Sequence, residues 1–325
     1  MKHLLSVLMI SLLVGCDSSF SKPNHYFQHA PDGSLASAFS HDASFGITSS
    51  INEGIVVWDL EYNQKVYQWN HQSPEGSANI IGNIDIAFDK SHVVTADRDA
   101  FALWNLATGE PVGFWRIDES SVRDLAVSNA GRGILIGRGN GKVLFFEPKT
   151  GRRLEFLGHQ EKINSVALSP NGYYALTGSN DYTAYLWDTR TGQVLYRFDH
   201  PSRVTKVALD DKGRYAFTAD SQKHARIWDL SNGEAVSRLK FIQRQKIFSA
   251  VRFSEDGQSL LTGSPNRHLC LWDVATGEKQ QDWKVTPSDA SLARSAVVYA
   301  VEFYGDKQVI SASSSGRVEV WDRKQ

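Results

Sequence analysis

The sequence predicts an all-β fold of seven small antiparallel sheets, four strands each, standing as blades around one axis. Three observations predict it. First, an aromatic residue followed by an acid or amide recurs seven times: Trp58-Asp59, Trp104-Asn105, Phe146-Glu147, Trp187-Asp188, Trp228-Asp229, Trp272-Asp273 and Trp321-Asp322. The steps between them are 46, 42, 41, 41, 44 and 49 residues, the period of a repeated supersecondary unit. Second, a turn ending in Gly or Asn follows the pair at Asn63, Gly109, Gly151, Gly192, Gly233 and Gly277, residue types that accept positive φ. Third, six residues beyond each of these turns stands Trp69, Trp115, Leu157, Phe198, Leu239 or Trp283.

The fourth copy, Gly158 to Phe198, shows the unit. Ile163 to Leu168 is a short apolar run, Pro170-Asn171-Gly172 a turn, and Tyr173 to Gly178 a second run. Asn180-Asp181 breaks it, Thr183 to Trp187 alternates, Thr191-Gly192 turns, and Val194 to Phe198 closes the copy. Four short runs divided by turn residues predict a meander of four strands. One such sheet cannot bury both faces. Seven stacked around an axis can, each covering its neighbours, and each large side chain between blades contributes roughly 1.5–3 kcal/mol on full burial.

The last copy has only three strands, Tyr299 to Phe303, Gln308 to Ala312 and Arg317 to Trp321. The segment His25 to His29 reads as a fourth strand with nothing before it. The N-terminal strand is therefore expected to complete the last blade and close the ring, so that no long edge stays free.

These marks resemble the WD-repeat family of seven-bladed β-propellers over about residues 25 to 323. The fourth copy carries most of the family's pattern: Gly158-His159, Ser169-Pro170-Asn171-Gly172, Asp181 and Trp187-Asp188. The resemblance implies a hydrogen-bonded chain inside that blade made by His159, Thr177, Asp181 and Trp187. Elsewhere the Asp position holds Asn52, Asn140, Gln222, Asn266 and Ser315, with Asp99 in a shorter second copy. The His position is matched by His200, loosely by His71 and His29, and not in the other copies. Blade 4 is thus expected to be the most rigid.

At the start of the chain, Met1-Lys2-His3 is a basic head and Leu4 to Val14 an uncharged, mostly apolar run. That run is too short to span a bilayer and has the length of a signal-peptide core. It ends in Leu13-Val14-Gly15-Cys16, which resembles a bacterial lipobox. The resemblance implies a signal peptide over 1–15, cleaved before an acylated Cys16, a polar tether over 16–24 and a single propeller over 25–325. Two acyl chains suffice for stable anchoring. Asp17 resembles the signal that retains such lipoproteins on the periplasmic face of the inner membrane; the outer membrane is the alternative.

Once Cys16 is lipidated, Cys270 stands alone, so no disulfide framework is available. Removing the signal leaves 34 basic against 36 acidic residues, a net charge near −2. Nucleic acid is excluded as an expected partner for want of a basic face. The ten histidines are dispersed, and His25 and His29, four apart on a strand, lie about 13 Å apart, too far for one zinc. The run Gly137 to Gly141 sits at a strand turn, and neither a nucleophile elbow nor a phosphate loop is present. Val166-Ala167-Leu168 and Val207-Ala208-Leu209, which would line the central channel, are apolar. No cofactor, metal or catalytic residue is expected.

Propellers of the resembled family bind proteins with the rim where one blade leads into the next. The corresponding residues here are Ser121, Arg123, Glu161, Lys162, Asn164, Arg203, Thr205, Gln243, Arg244 and Tyr299. Two longer connections, His71 to Gly82 and Thr286 to Ala296, offer further surface. The expected function is a monomeric, membrane-tethered scaffold for a protein partner in the bacterial envelope. The alternatives are an accessory factor of outer-membrane protein assembly like the quinoprotein-type propellers, or a propeller enzyme. The apolar residue six beyond Gly, where that type has Trp at four, argues against a quinone cofactor.

Overall fold

The structure is a computed structural model, which describes residues 20–71, 80–242, 247–288 and 295–324. Residues 1–19, Cys16 among them, and Gln243 and Arg244 lie outside the described residues, as do parts of both longer connections.

Seven four-stranded antiparallel sheets form the described chain. Blade 1 is Ala36–Phe39, Phe45–Ser50, Gly54–Asp59 and Gln64–Trp69. Blade 2 is Asn83–Ile86, His92–Ala96, Ala100–Asn105 and Pro111–Arg116. Blade 3 is Val122–Val127, Ile134–Arg138, Val143–Phe146 and Arg153–Phe156. Blade 4 is Ile163–Leu168, Tyr174–Ser179, Thr183–Asp188 and Val194–Asp199. Blade 5 is Val204–Leu209, Tyr215–Asp220, Ala225–Asp229 and Ala235–Arg238. Blade 6 is Ala250–Phe253, Ser259–Gly263, His268–Asp273 and Lys279–Lys284. Blade 7 is Val298–Tyr304, Gln308–Ser313 and Arg317–Asp322, with His25–Gln28 as its outer strand. The innermost strands of successive blades touch all the way round.

The closure follows the expectation from sequence. His25–Gln28 pairs antiparallel with the last strand, His25 opposite Val320 and Gln28 opposite Arg317. The amide of His29 donates to the Gly316 carbonyl at 2.9 Å. Gly316 has φ +72°, and a Cβ there would stand 1.7 Å from the Ala30 carbonyl oxygen, so only glycine lets the two ends of the chain meet so closely.

The blades are cemented by aromatic stacking from one outer strand to the next blade's Trp. Trp69 stacks on Trp104 at 4.8 Å, Phe156 on Trp187 at 4.6 Å and Phe198 on Trp228 at 4.4 Å. Leu239 packs with Trp272, and Trp283 with Trp321, in the corresponding gaps. At the closure the stacking residue is His29, parallel to Trp58 at 4.0 Å. By register Phe27 holds the place of Trp69, opposite Val318 as Trp69 is opposite Ile55. His29, two residues on, keeps the His position, but its ring stacks on Trp58 and its Nε2 meets Asn63 at 2.9 Å. Burial pushes its imidazole down to about 4, against a bond from Asn63 that pulls it up, so it stacks as a neutral ring.

Blade 3 corrects the expected fixed offset. Leu157 is 67% exposed, while Phe156 is buried and fills the gap. In blades 1, 2, 4, 5 and 6 the register between the third and fourth strands shifts at the Trp-Asp position. In blade 3, Phe146 pairs with Arg153 with no such shift. One residue fewer in the bulge exchanges inward for outward along the strand, so the inward residue comes one earlier.

Candidate protein-interaction surface

The site is built by a repeated irregularity. In blades 3, 4, 5 and 7 the innermost strand carries a β-bulge one step after it starts, between Val122 and Asp124, Ile163 and Ser165, Val204 and Lys206, and Val298 and Ala300. The bulged residues are Arg123, Asn164, Thr205 and Tyr299. A bulge leaves its residue out of the ladder and re-aims its side chain, here at one mouth of the central channel. Tyr299 lines the channel itself. Four residues that the sequence placed on the rim one by one are therefore four copies of one structural position.

Their surroundings separate them. Arg123 and Arg203 are exposed, and among the described residues neither guanidinium has an ion pair or side-chain hydrogen bond. Asn164 is engaged structurally: its amide donates to Asn180 at 2.8 Å and to the Val204 carbonyl of blade 5 at 2.6 Å. Thr205 donates to the Ala219 carbonyl at 3.3 Å. Tyr299 is half-buried, and burial raises its phenol above the usual range. Glu161 is exposed, Lys162 and Ser121 half-buried, and the Ser121 carbonyl accepts from the Gly139 amide at 3.0 Å. Two cations, Arg123 and Arg203, are thus the part of this rim that is free to bind.

Behind the rim, the channel is more polar than blades 4 and 5 suggest. The inner strands bring Asp85, Asp124, Lys206 and Arg252 to its wall, and the turn after the inner strand of blade 5 adds Asp211. Asp85 accepts from the Val127 amide at 2.8 Å and Asp124 from the Val166 amide at 2.9 Å. These bonds join blade 2 to 3 and blade 3 to 4. Burial raises Asp85 to about 6. At the far mouth Arg252 pairs with buried Glu302 at 2.6 Å and approaches Asp211 at 3.9 Å. Burial raises Glu302 to about 8, although Arg252 opposes the shift. The acids are committed to backbone amides and to Arg252. Among the described residues no group of three His, Cys, Asp or Glu side chains is arranged to hold a metal.

Sequence reasoning missed the opposite face as well. A cleft of about 840 Å³ runs along blades 4 and 5, lined by Leu186, Leu195, Tyr196, Leu209, Leu230 and Lys212 among others. Its residues come from seven separate segments, and no local pattern links them.

The internal networks also differ from the expected one. In blade 4, His159 Nε2 meets Thr177 Oγ1 at 2.9 Å and Nδ1 meets Asp181 at 2.9 Å. Burial works to raise Asp181, but bonds from His159 and Thr183 bring it down to about 2. Trp187 Nε1, however, is buried with no hydrogen-bond partner among the described residues. The longer chains are in blades 2 and 5. Trp104 donates to Thr95 at 2.9 Å, Thr95 meets His71 Nε2 at 2.8 Å, and His71 Nδ1 faces Asp97 at 3.5 Å. Trp228 donates to Thr218 at 2.8 Å, Thr218 meets His200 at 2.8 Å, and His200 faces Asp220 at 3.7 Å. The acids are Asp97 and Asp220, each two residues before the expected Asp99 and Gln222.

This geometry can be set beside known families. The family model of the WD domain, G-beta repeat, matches residues 151–188, 192–229 and 239–273. Over these three segments the chain carries sequence repeats that match that model. The first two matched segments start with the outer strand of one blade, the third starts just after one, and each ends with the third strand of the next blade, so the repeat as sequence is offset from the blade as sheet. The matches cover the region around Arg203 and the network of blade 5. No curated protein sequence matches the chain.

Proposed function

We propose that this protein is a non-catalytic scaffold that binds a protein partner through the channel mouth of blades 3 to 5, tethered to a bacterial envelope membrane by lipid on Cys16. WD propellers of this fold are consistent with protein-interaction scaffolds. The observation that carries the surface is the pair Arg123, bulged on the inner strand of blade 3, and Arg203, directly before the inner strand of blade 5, both exposed and without an ion pair among the described residues. Arg is a frequent interface anchor because its flat guanidinium makes several directed bonds. The partner surface is accordingly acidic. The anchor rests on the basic head, the short apolar run and Cys16 in sequence; no helix among the described residues is long and apolar enough to cross a membrane. Retention at the inner membrane rests on Asp17.

Cross-linking in intact cells followed by mass spectrometry tests the surface. Arg123→Glu with Arg203→Glu should abolish capture of the partner while leaving the melting temperature within a few degrees. Tyr299 is left unaltered because it is half-buried in the channel wall. Undiminished capture by the double variant refutes this surface. Membrane fractionation tests the location.

A further inference from the structure

The segment before the closing strand lies on the ring. Phe20 sits edge-on to His268 of blade 6 at 5.3 Å, with Lys284 Nζ 5.5 Å from its ring centroid. Four residues later the Asn24 amide donates to the Val320 carbonyl of blade 7 at 2.8 Å. The chain therefore reaches the propeller at the outer edge of blade 6 and crosses to blade 7. Only Asp17-Ser18-Ser19 separate Cys16 from Phe20 in sequence. Four Cα steps span at most about 14 Å.

The edge around this landing point has a composition of its own. Tyr26, on the outermost strand, is 55% exposed, with the Arg317 guanidinium 5.0 Å from its ring centroid. Lys22 is exposed and Lys284 half-buried. Carboxylates of the outer strand of blade 6 and the third strand of blade 7 have local partners: Asp282 with Lys279 at 2.6 Å, Glu319 with the Thr286 amide, and Asp322 with Gln308 at 2.9 Å. Tyrosine rings favour the headgroup layer, and lysines keep their stems on apolar surface while the ammonium meets anionic lipid.

We infer that the outer edge of blades 6 and 7, carrying Phe20, Lys22, Tyr26 and Lys284, is a docking surface for an anionic phospholipid bilayer. This rests on the reading of Cys16 as the lipid-bearing residue. A leash of about 14 Å holds that edge at the headgroups. Blade 4, across the ring, is turned away from the bilayer, and Arg123 and Arg203 stay open to a partner. The anchor therefore sets an orientation as well as a location.

The test attaches the lipid chemically, so that it does not depend on cellular acylation. The chain from Cys16 onward is coupled to a maleimide phospholipid in phosphatidylglycerol-containing vesicles; Cys270 is buried and does not compete. Hydroxyl-radical footprinting then compares Tyr26 with Tyr182 of blade 4, which is 53% exposed. Tethering should protect Tyr26 several-fold and leave Tyr182 unchanged. Lys22→Glu with Lys284→Glu should reduce the protection on these vesicles and leave it unaltered on phosphatidylcholine. Equal reactivity of Tyr26 with and without the tether, or protection of Tyr182 in its place, overturns the orientation. Protection indifferent to the charge reversal overturns the role of anionic lipid. Unmodified Cys16 in the mass of the cellular N-terminal peptide refutes the natural anchor while leaving the vesicle result standing.

Discussion

Thr95→Val and Thr177→Val, made separately, should differ about twofold in their effect on stability. Both threonines are fully buried, and valine nearly preserves the shape, so the change removes the hydroxyl with little loss of packing. In blade 2 the Thr95 hydroxyl accepts from Trp104 Nε1 at 2.9 Å and donates to His71 Nε2, because Asp97 can only accept and so places the imidazole proton on Nδ1. Valine strands two polar atoms there, on side chains that are both buried. An unsatisfied buried group costs about 1–3 kcal/mol, so the loss in blade 2 is about 2–6 kcal/mol. In blade 4, Thr177 meets His159 alone, and Trp187 Nε1 has no bond to lose among the described residues. The loss there is about 1–3 kcal/mol. Equilibrium denaturation in urea, followed by tryptophan fluorescence, measures both. A cost for Thr177→Val equal to or above that for Thr95→Val would refute the reasoning and restore blade 4 as the most strongly networked blade.

Other outcomes follow from the same structure. Gly316→Ala sets a Cβ against the Ala30 carbonyl at positive φ, so it should lower the melting temperature and expose the N-terminal strand to proteolysis; unchanged resistance would argue against the closure. Glu302→Gln removes the carboxyl nearest the half-buried guanidinium of Arg252, which keeps Asp211 at 3.9 Å, so it should lower the denaturant midpoint, and an unchanged midpoint would argue against the pair. Acid should weaken the ring through His29 and His200, each held near 4 chiefly by burial, against 6.5 in a free chain. The unfolded state binds their protons first, so stability is full above the unfolded value and falls with pH through the folded one. Each contributes a loss of about 2 kcal/mol at pH 5. His29→Phe should flatten part of this slope in denaturation series from pH 7 to 4, and an unaltered slope would sink the assignment.

How much of this was legible varies with the range of the interaction. The period of the Trp-Asp pairs and the glycine turns specified blade number, strand order and the missing outer strand, because those depend on chain-local spacing. Leu157 shows where local spacing stops: a bulge absent from blade 3 moves the buried position to Phe156, and nothing in the repeat announces the deletion. His29 was legible as a histidine near a strand but not as the stacking partner of Trp58, 29 residues away. Asp97 and Asp220 take the role expected of Asp99 and Gln222, two positions later, because an imidazole selects its partner by reach across strands.

The recurring aromatic and turn residues, by themselves, determined that this chain is a closed ring of seven blades. That is possible because each blade is made from about forty consecutive residues and repeats one packing problem. Only the tertiary structure decided which rim side chains are free, that the channel wall carries paired charge, and that Phe20 brings the N-terminal segment to the edge of blade 6. Those properties arise where strands from different blades meet, and contacts between distant segments leave no periodic trace in the sequence.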